Sequence, residues 1–247
     1  MPELPALRQV VLLAADLPAA LTRTKALLGL RDGIRAEREM AALGLAHEVL
    51  AVRDTFIEVV SPLSPDTSAG RLLARHGDCG YMVVLQVADV DAVVGRGRAL
   101  GLKPIVHEPF EGNPMTQWHP RDLGTLAELD EMRVAEWHFG AALSGTGCTD
   151  VVGDIVSVDI AVPDPAAYAR RWAALLGLEL AAGQTRLALG RGEISFVPDA
   201  NGSGLRAVRL SASTPEAANL GDTLCGVAFS VAAIDSAVPA SYPLAER

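Results

Sequence analysis

The pentapeptide "ALLGL" stands at Ala26–Leu30 and again at Ala174–Leu178. Ten residues before Ala26 comes Asp16, behind the apolar run "QVVLLAA"; ten before Ala174 comes Asp164, behind "SVDIAVP". The span from Asp16 to Asp164 equals the span from Ala26 to Ala174, so the match is ungapped. A weaker copy runs from "VVLQVAD", ending at Asp89, to "ALGL", starting at Ala99. Self-similarity at fixed offsets marks a duplicated structural unit.

Each copy has the same physical content. An apolar strand ends at an Asp, whose carboxylate accepts from the free N–H groups of a first helical turn. Leu17, Ala20, Leu21, Leu27 and Leu28 then fall on one helix face, as do Tyr168, Trp172, Leu175 and Leu176 in the later copy. Gly29, Gly101 and Gly177 stand where the helix must stop. "ALLGL" is thus a helix end with its cap, and it does no chemistry. Strand-like segments follow: "RDGIRAER", "LAHEVLAV" and "TFIEVVSP", then "LKPIVHEP", "MTQWHP" and "TLAELDEM". That predicts a β-α-β-β-β unit, twice. A third unit continues through "TRLALGRG" and "EISFVPD", and a fourth begins at "GLRAVRLSA". The fourth is abbreviated: "TPEAANLG" makes at most a short helix, "LCGVAFSVA" one strand, and the tail "VPASYPLAER" adds little. Small residues and lost periodicity in "GAALSGTGCTD" put a linker at 133–151, between domains at 1–132 and 152–247. The fold class is α+β, with tandem βαβββ units in two domains and the last unit truncated.

Composition excludes some roles. The chain has 247 residues, half of them hydrophobic and 21% charged, which is a globular composition. With a net charge of −9 and no basic cluster interleaved with aromatics, nucleic acid is not an expected partner. "VVLLAA" is too short to span a bilayer, and the start lacks a secretory pattern, so no membrane association and a cytoplasmic location are expected. Cys79, Cys148 and Cys225 match no metal or redox spacing and read as unpaired, inert thiols.

Strand alternation singles out two carboxylates. In "TFIEVV", Glu58 shares a face with Phe56 and Val60; in "TLAELDE", Glu128 shares one with Leu126. A carboxylate among apolar neighbours needs a metal, a proton or a partner, unless that face is simply wet.

Paired units with these signals resemble the vicinal oxygen chelate superfamily, which includes glyoxalase I, extradiol dioxygenases, bleomycin-resistance proteins and methylmalonyl-CoA epimerase. The epimerase pattern is the most similar over Leu7–Glu131, through "SPLSPDTSAGRLLARHG", "VVLQVADVDAV", "HEP" and "HPRDLGTLAEL". The later half resembles the superfamily through its β-α topology alone.

The resemblance implies two curved, glyoxalase-like sheets and a cleft that holds a divalent metal (Mn, Co, Ni, Zn or Mg). Its ligand positions fall on Gln9, Glu58, Met82 and Glu128, with Gln and Met where the family has His. Gln9, Glu58 and Glu128 are the candidate metal ligands; a thioether at Met82 is a soft, weak ligand for such ions, so the metal would be weakly held or absent. Glu58, Glu128 and His47 are the candidate catalytic groups, the carboxylates splitting into acid and base and His47 moving a proton. Met82, Val84, Val11 and His119 are the candidate substrate-binding residues, His119 as a rim residue of "WHPRDLG". Adding the repeat offset to Gln9 gives Ser157, with later equivalents near Ser195 and Arg206, so no metal is expected in the second half.

Three functions are compatible with this reading. One is a lyase or isomerase that removes a proton next to the carbonyl of a small oxygenated acid or thioester. Another is a non-catalytic, bleomycin-resistance-like binder of a small molecule. The last, an extradiol-type dioxygenase, lacks both expected imidazoles. A small-molecule ligand is the expected partner. A homodimer remains among the expectations, although two domains in one chain supply the pairing that shorter relatives obtain by dimerising.

Overall fold

The computed structural model describes residues 3–133, 137, 149–200, 202–218 and 220–233. Cys148, His138, most of the expected linker and the tail "VPASYPLAER" lie outside them.

The first half contains β1 (Ala6–Leu13), α1 (Leu17–Leu28), α2 (Glu37–Ala42), β2 (Leu45–Val52), β3 (Thr55–Pro62), α3 (Ser68–His76), β4 (Cys79–Gln86), α4 (Val90–Ala99), β5 (Val106–Phe110), β6 (Asn113–Trp118), α5 (Pro120–Leu123) and β7 (Leu126–Asp130). Its strands form a 7-stranded sheet in the order β2-β3-β1-β4-β7-β6-β5. The two units meet where β1 runs antiparallel to β4, and each closes with a parallel pair, β1 with β3 and β4 with β7.

The second half contains β8 (Val152–Val162), α6 (Pro165–Leu176), β9 (Arg186–Ala188), β10 (Glu193–Pro198), β11 (Gly204–Ala212), a 3-10 turn at Pro215–Ala217, β12 (Gly221–Leu224) and β13 (Val227–Ala232). Its 6-stranded sheet, β12-β13-β11-β8-β10-β9, repeats the plan around an antiparallel β8/β11 junction. The architecture is α+β, with two sheets of βαβββ type and the second shortened.

The capping chemistry follows the repeat. Asp16, Asp89 and Asp164 accept from Ala19, Ala92 and Ala167 N–H at 2.9, 2.8 and 2.9 Å. Gly29 and Gly177 take φ of 65° and 74° as the C-caps of α1 and α6, a region that disfavours a Cβ. The cap of α4 is Leu100 instead, with Gly101 one residue beyond.

Two expected elements differ. "RDGIRAER" is not a strand: Ile34 makes a single bridge to Val49, and the helix-forming run "EREMAA" builds α2. The truncated fourth unit has one strand more than expected, because "GDTL" pairs with β13 as β12 across the tight Cys225–Gly226 turn.

One apolar core joins the halves. Val10, Leu12, Ile57, Val59, Val83, Leu85, Trp118 and Leu129 from the first sheet pack with Ile155, Val158, Ile160, Trp172, Phe196, Val208 and Leu210 from the second half. Each large side chain buried here contributes about 1.5–3 kcal/mol. Gly97 on α4 permits the approach, since a Cβ there would overlap the Trp118 ring and crowd Leu175. Polar bonds fix the alignment: Trp172 Nε1 donates to Leu123 O at 2.9 Å, Arg96 Nε to Leu175 O at 2.7 Å, and Asp54 N–H to Asp154 Oδ1 at 2.9 Å. None of the described helices is long and apolar enough to cross a membrane.

Candidate functional site

The other face of the first sheet has its own cluster: Val11, Leu13, Val49, Phe56, Val60, Met82 and Val84, with Trp137 packed among them. Strand register arranges this face in rungs. Glu58 and Met82 flank Val11 from either side, while Phe56, Gln9, Val84, Glu128 and Gln117 succeed one another on the next rung. Residues distant in sequence thus meet because two parallel pairs share one antiparallel junction. A bulge between Leu7 and Gln9 adjusts β1 on this rung.

Glu58 is buried and held from two sides. Gln9 Nε2 donates to its Oε2 at 2.8 Å, and His47 Nδ1 lies 2.6 Å from its Oε1. The other imidazole nitrogen, Nε2, accepts from Ala36 N–H at 2.7 Å. An acceptor at Nε2 leaves the ring proton on Nδ1, so His47 donates to the carboxylate as the neutral tautomer. Ala36 is brought there by the Arg31–Ala36 connection, which Glu48 ties down. Its carboxylate, buried on the opposite face of β2, accepts from Gly33 N–H at 2.9 Å and Arg35 Nε at 2.9 Å, and pairs with Lys25 at 2.5 Å. These partners hold the Glu48 carboxyl below the usual carboxylate range against the desolvation that would raise it.

Glu128 has the opposite environment. Burial, then the negative charges of Asp130 and Glu58, push its carboxyl well above the usual range; the Gln117 hydrogen bond, at 2.7 Å, offsets this only in part. One carboxylate held by neutral donors and one carboxyl inclined to keep its proton therefore share one face of the sheet.

The residues present do not fit a tightly held divalent metal. Gln9 turns its amide nitrogen, not its oxygen, toward Glu58; both Glu58 oxygens and one Glu128 oxygen already accept hydrogen bonds; and Met82 offers only a thioether. No group of three or more His, Cys, Asp or Glu among the described residues has a metal-binding arrangement.

Val11, Val84 and Met82 line the same surface, whereas His119 does not join it. His119 caps α5, its Nδ1 accepting from Arg121 N–H at 3.0 Å, and it lines a separate groove with Lys103 and Ile105. Gln117 escaped the sequence reading, although strand alternation in "MTQWHP" places it on one face with Met115. Arg8 and Trp137 escaped it as well: the guanidinium lies 5.0 Å from the indole ring, and both side chains are buried. Nothing in local periodicity signals a Trp from the expected linker entering the cleft. Of the thiols, Cys79 and Cys225 are free, and burial with nearby Asp78 and Cys79 pushes Cys225 up to about 11, leaving little thiolate at neutral pH.

The corresponding face of the second sheet has the same register and other side chains. Ser157 and Ser195 occupy the places of Gln9 and Glu58, and Ser230 that of Glu128. A shift between Leu205 and Ala207 makes Ala207, rather than Arg206, the counterpart of Met82. Asp159, Glu193 and Arg209 replace Val11, Phe56 and Val84.

No protein-family model and no curated protein matches this sequence. Solved structures with a similar fold include methylmalonyl-CoA epimerase from Mycobacterium tuberculosis, at 24% identity over 52% of this chain and 89% of that one, with a TM-score of 0.47. A Streptomyces coelicolor methylmalonyl-CoA epimerase variant in complex with 2-nitronate-propionyl-CoA gives 22%, 53%, 99% and 0.47 for the same quantities. A hypothetical protein from Bacillus halodurans gives 17%, 55%, 100% and 0.49. The βαβββ-type units, paired about antiparallel junctions, have the arrangement that the resemblance to the vicinal oxygen chelate superfamily implies.

Proposed function

We propose that the first half is an acid–base site that moves a proton next to the carbonyl of a small oxygenated acid or thioester, as a lyase or isomerase. The observation that carries the reading is the pairing of Glu58, an acceptor locked between Gln9 and His47, with Glu128, whose carboxyl is pushed upward on the neighbouring rung. Glu58 takes the proton; Glu128, as a neutral acid, donates to the carbonyl oxygen on which negative charge develops. His47 holds Glu58 in position instead of acting as the base itself, since both ring nitrogens are engaged. Val11, Val84 and Met82 exclude water beside the carbon. No step is routed through a metal.

The test is solvent-deuterium incorporation into methylmalonyl-CoA and a panel of short 2-oxo and 2-hydroxy acids, followed by NMR. Glu58→Gln and Glu128→Gln should each lower exchange by about 10²–10⁴-fold. Exchange that survives both substitutions overturns the assignment, as does the absence of exchange in every compound.

The non-catalytic alternative rests on the apolar cluster around Phe56, Met82 and Trp137, which suits a hydrophobic ligand. Tight binding of such a ligand, unaffected by Glu128→Gln, would favour it. A dioxygenase has less support, because Gln9 and Met82 stand where its two imidazoles would be.

A further inference from the structure

His119 was left outside the acid–base cleft, and the groove it lines has a chemistry of its own. Gly101, Lys103, Pro104, Ile105, His119, Arg121 and Asp122 line an open groove of about 510 Å³ between the α4–β5 connection and α5. That volume lies within the range of small-molecule sites, about 300–1,000 Å³. We propose that this groove binds a small phosphate monoester with a flat or apolar body.

Three observations support the assignment. Arg121 N–H donates to His119 Nδ1, which fixes the ring proton on Nε2, and that N–H has no protein partner among the described residues. The Lys103 ammonium and the Arg121 guanidinium make no ion pair or side-chain hydrogen bond among them either. Asp122 supplies the lining's single carboxylate, so two cations outnumber one anion on a chain whose net charge is −9. A phosphate monoester offers a dianion to Lys103 and Arg121 and an acceptor oxygen to His119 Nε2–H. Ile105, 52% exposed, and Pro104 form the apolar floor on which the rest of the ligand would lie. The groove adjoins the cleft without overlapping it: Ile105 N–H donates at 2.8 Å to the carbonyl of Gln117, whose side chain holds Glu128.

Calorimetric titration of the full chain with adenosine 5′-monophosphate, adenosine and inorganic phosphate tests this. The monophosphate should bind, and adenosine should bind at least about tenfold more weakly. Lys103→Gln and Arg121→Gln should each weaken the monophosphate about tenfold. His119→Asn, which keeps a favourable cap for α5, should weaken it less. Glu58→Gln should leave this binding unchanged, so failure here and failure of the acid–base reading are separable. Absence of monophosphate and phosphate binding overturns the proposal, as does adenosine binding equally well. Affinity retained in a Lys103→Gln/Arg121→Gln double variant with an unaltered melting temperature also overturns it.

Discussion

On the first sheet the rung through Gln9 carries Phe56, Val84 and Glu128; on the second, the rung through Ser157 carries Glu193, Arg209 and Ser230. Strand order and register are alike, yet one face sets two acidic side chains among apolar neighbours and the other sets charges among hydroxyls. In the second, Arg209 Nη1 donates to Ser157 Oγ at 3.0 Å, and burial raises the Asp159 carboxyl despite Arg209 and Arg186 nearby. The opposite faces are both apolar, because both supply the shared core. Packing therefore fixes a register independently of the side chains its free face carries.

Substitutions at matching positions separate the two faces. Glu58→Gln should reduce proton exchange by about 10²–10⁴-fold, while Ser195→Ala leaves it within about twofold; equal losses would give the second face a catalytic share. Next in size is Trp172→Ala. It removes a fully buried indole and its bond to Leu123 O, and should cost about 3–5 kcal/mol. Chemical denaturation should then show both halves unfolding at the same lower midpoint; a first half that kept its original midpoint would refute the shared core. Smaller are the paired caps: Asp16→Ala and Asp164→Ala should each cost about 1 kcal/mol, equal in the two halves as the repeat requires. The smallest effect is a slope with pH. The folded Glu128 carboxyl binds its proton more tightly than an unfolded one, so native protons outnumber unfolded ones as pH rises from 4.5 to the folded value. Its contribution to stability therefore declines across that window. Glu128→Gln should flatten this part of the profile, and Ser230→Ala should not change it.

Much of the fold was legible because it depends on local signals that duplication repeats: an apolar strand, an Asp cap, a helix and its Gly. The first "strand" after α1 was misread because "RDGIRAEREMAA" contains one strand-like Ile ahead of strong helix formers. α3, capped by Thr67, passed unnoticed within "SPDTSAGRLLARHG". In the site, alternation identified Glu58 and Glu128 as unusual, but it could not reveal what each carboxyl meets. That depends on burial and on neighbours across the sheet, Gln9 and His47 for one and Gln117 for the other, with Asp130 two residues along the same strand as Glu128. Nor could it show that Ala36 N–H determines which nitrogen of His47 carries the proton, since an amide leaves no side-chain signature.

Ile160 and Val162 occupy the space that Gly124 leaves open behind the first sheet, and Trp172 reaches across to Leu123. Removing 152–247 would expose the underside of the very strands that carry Glu58 and Glu128 to water. The second half thus serves as scaffolding for the first, whatever side chains its own free face carries.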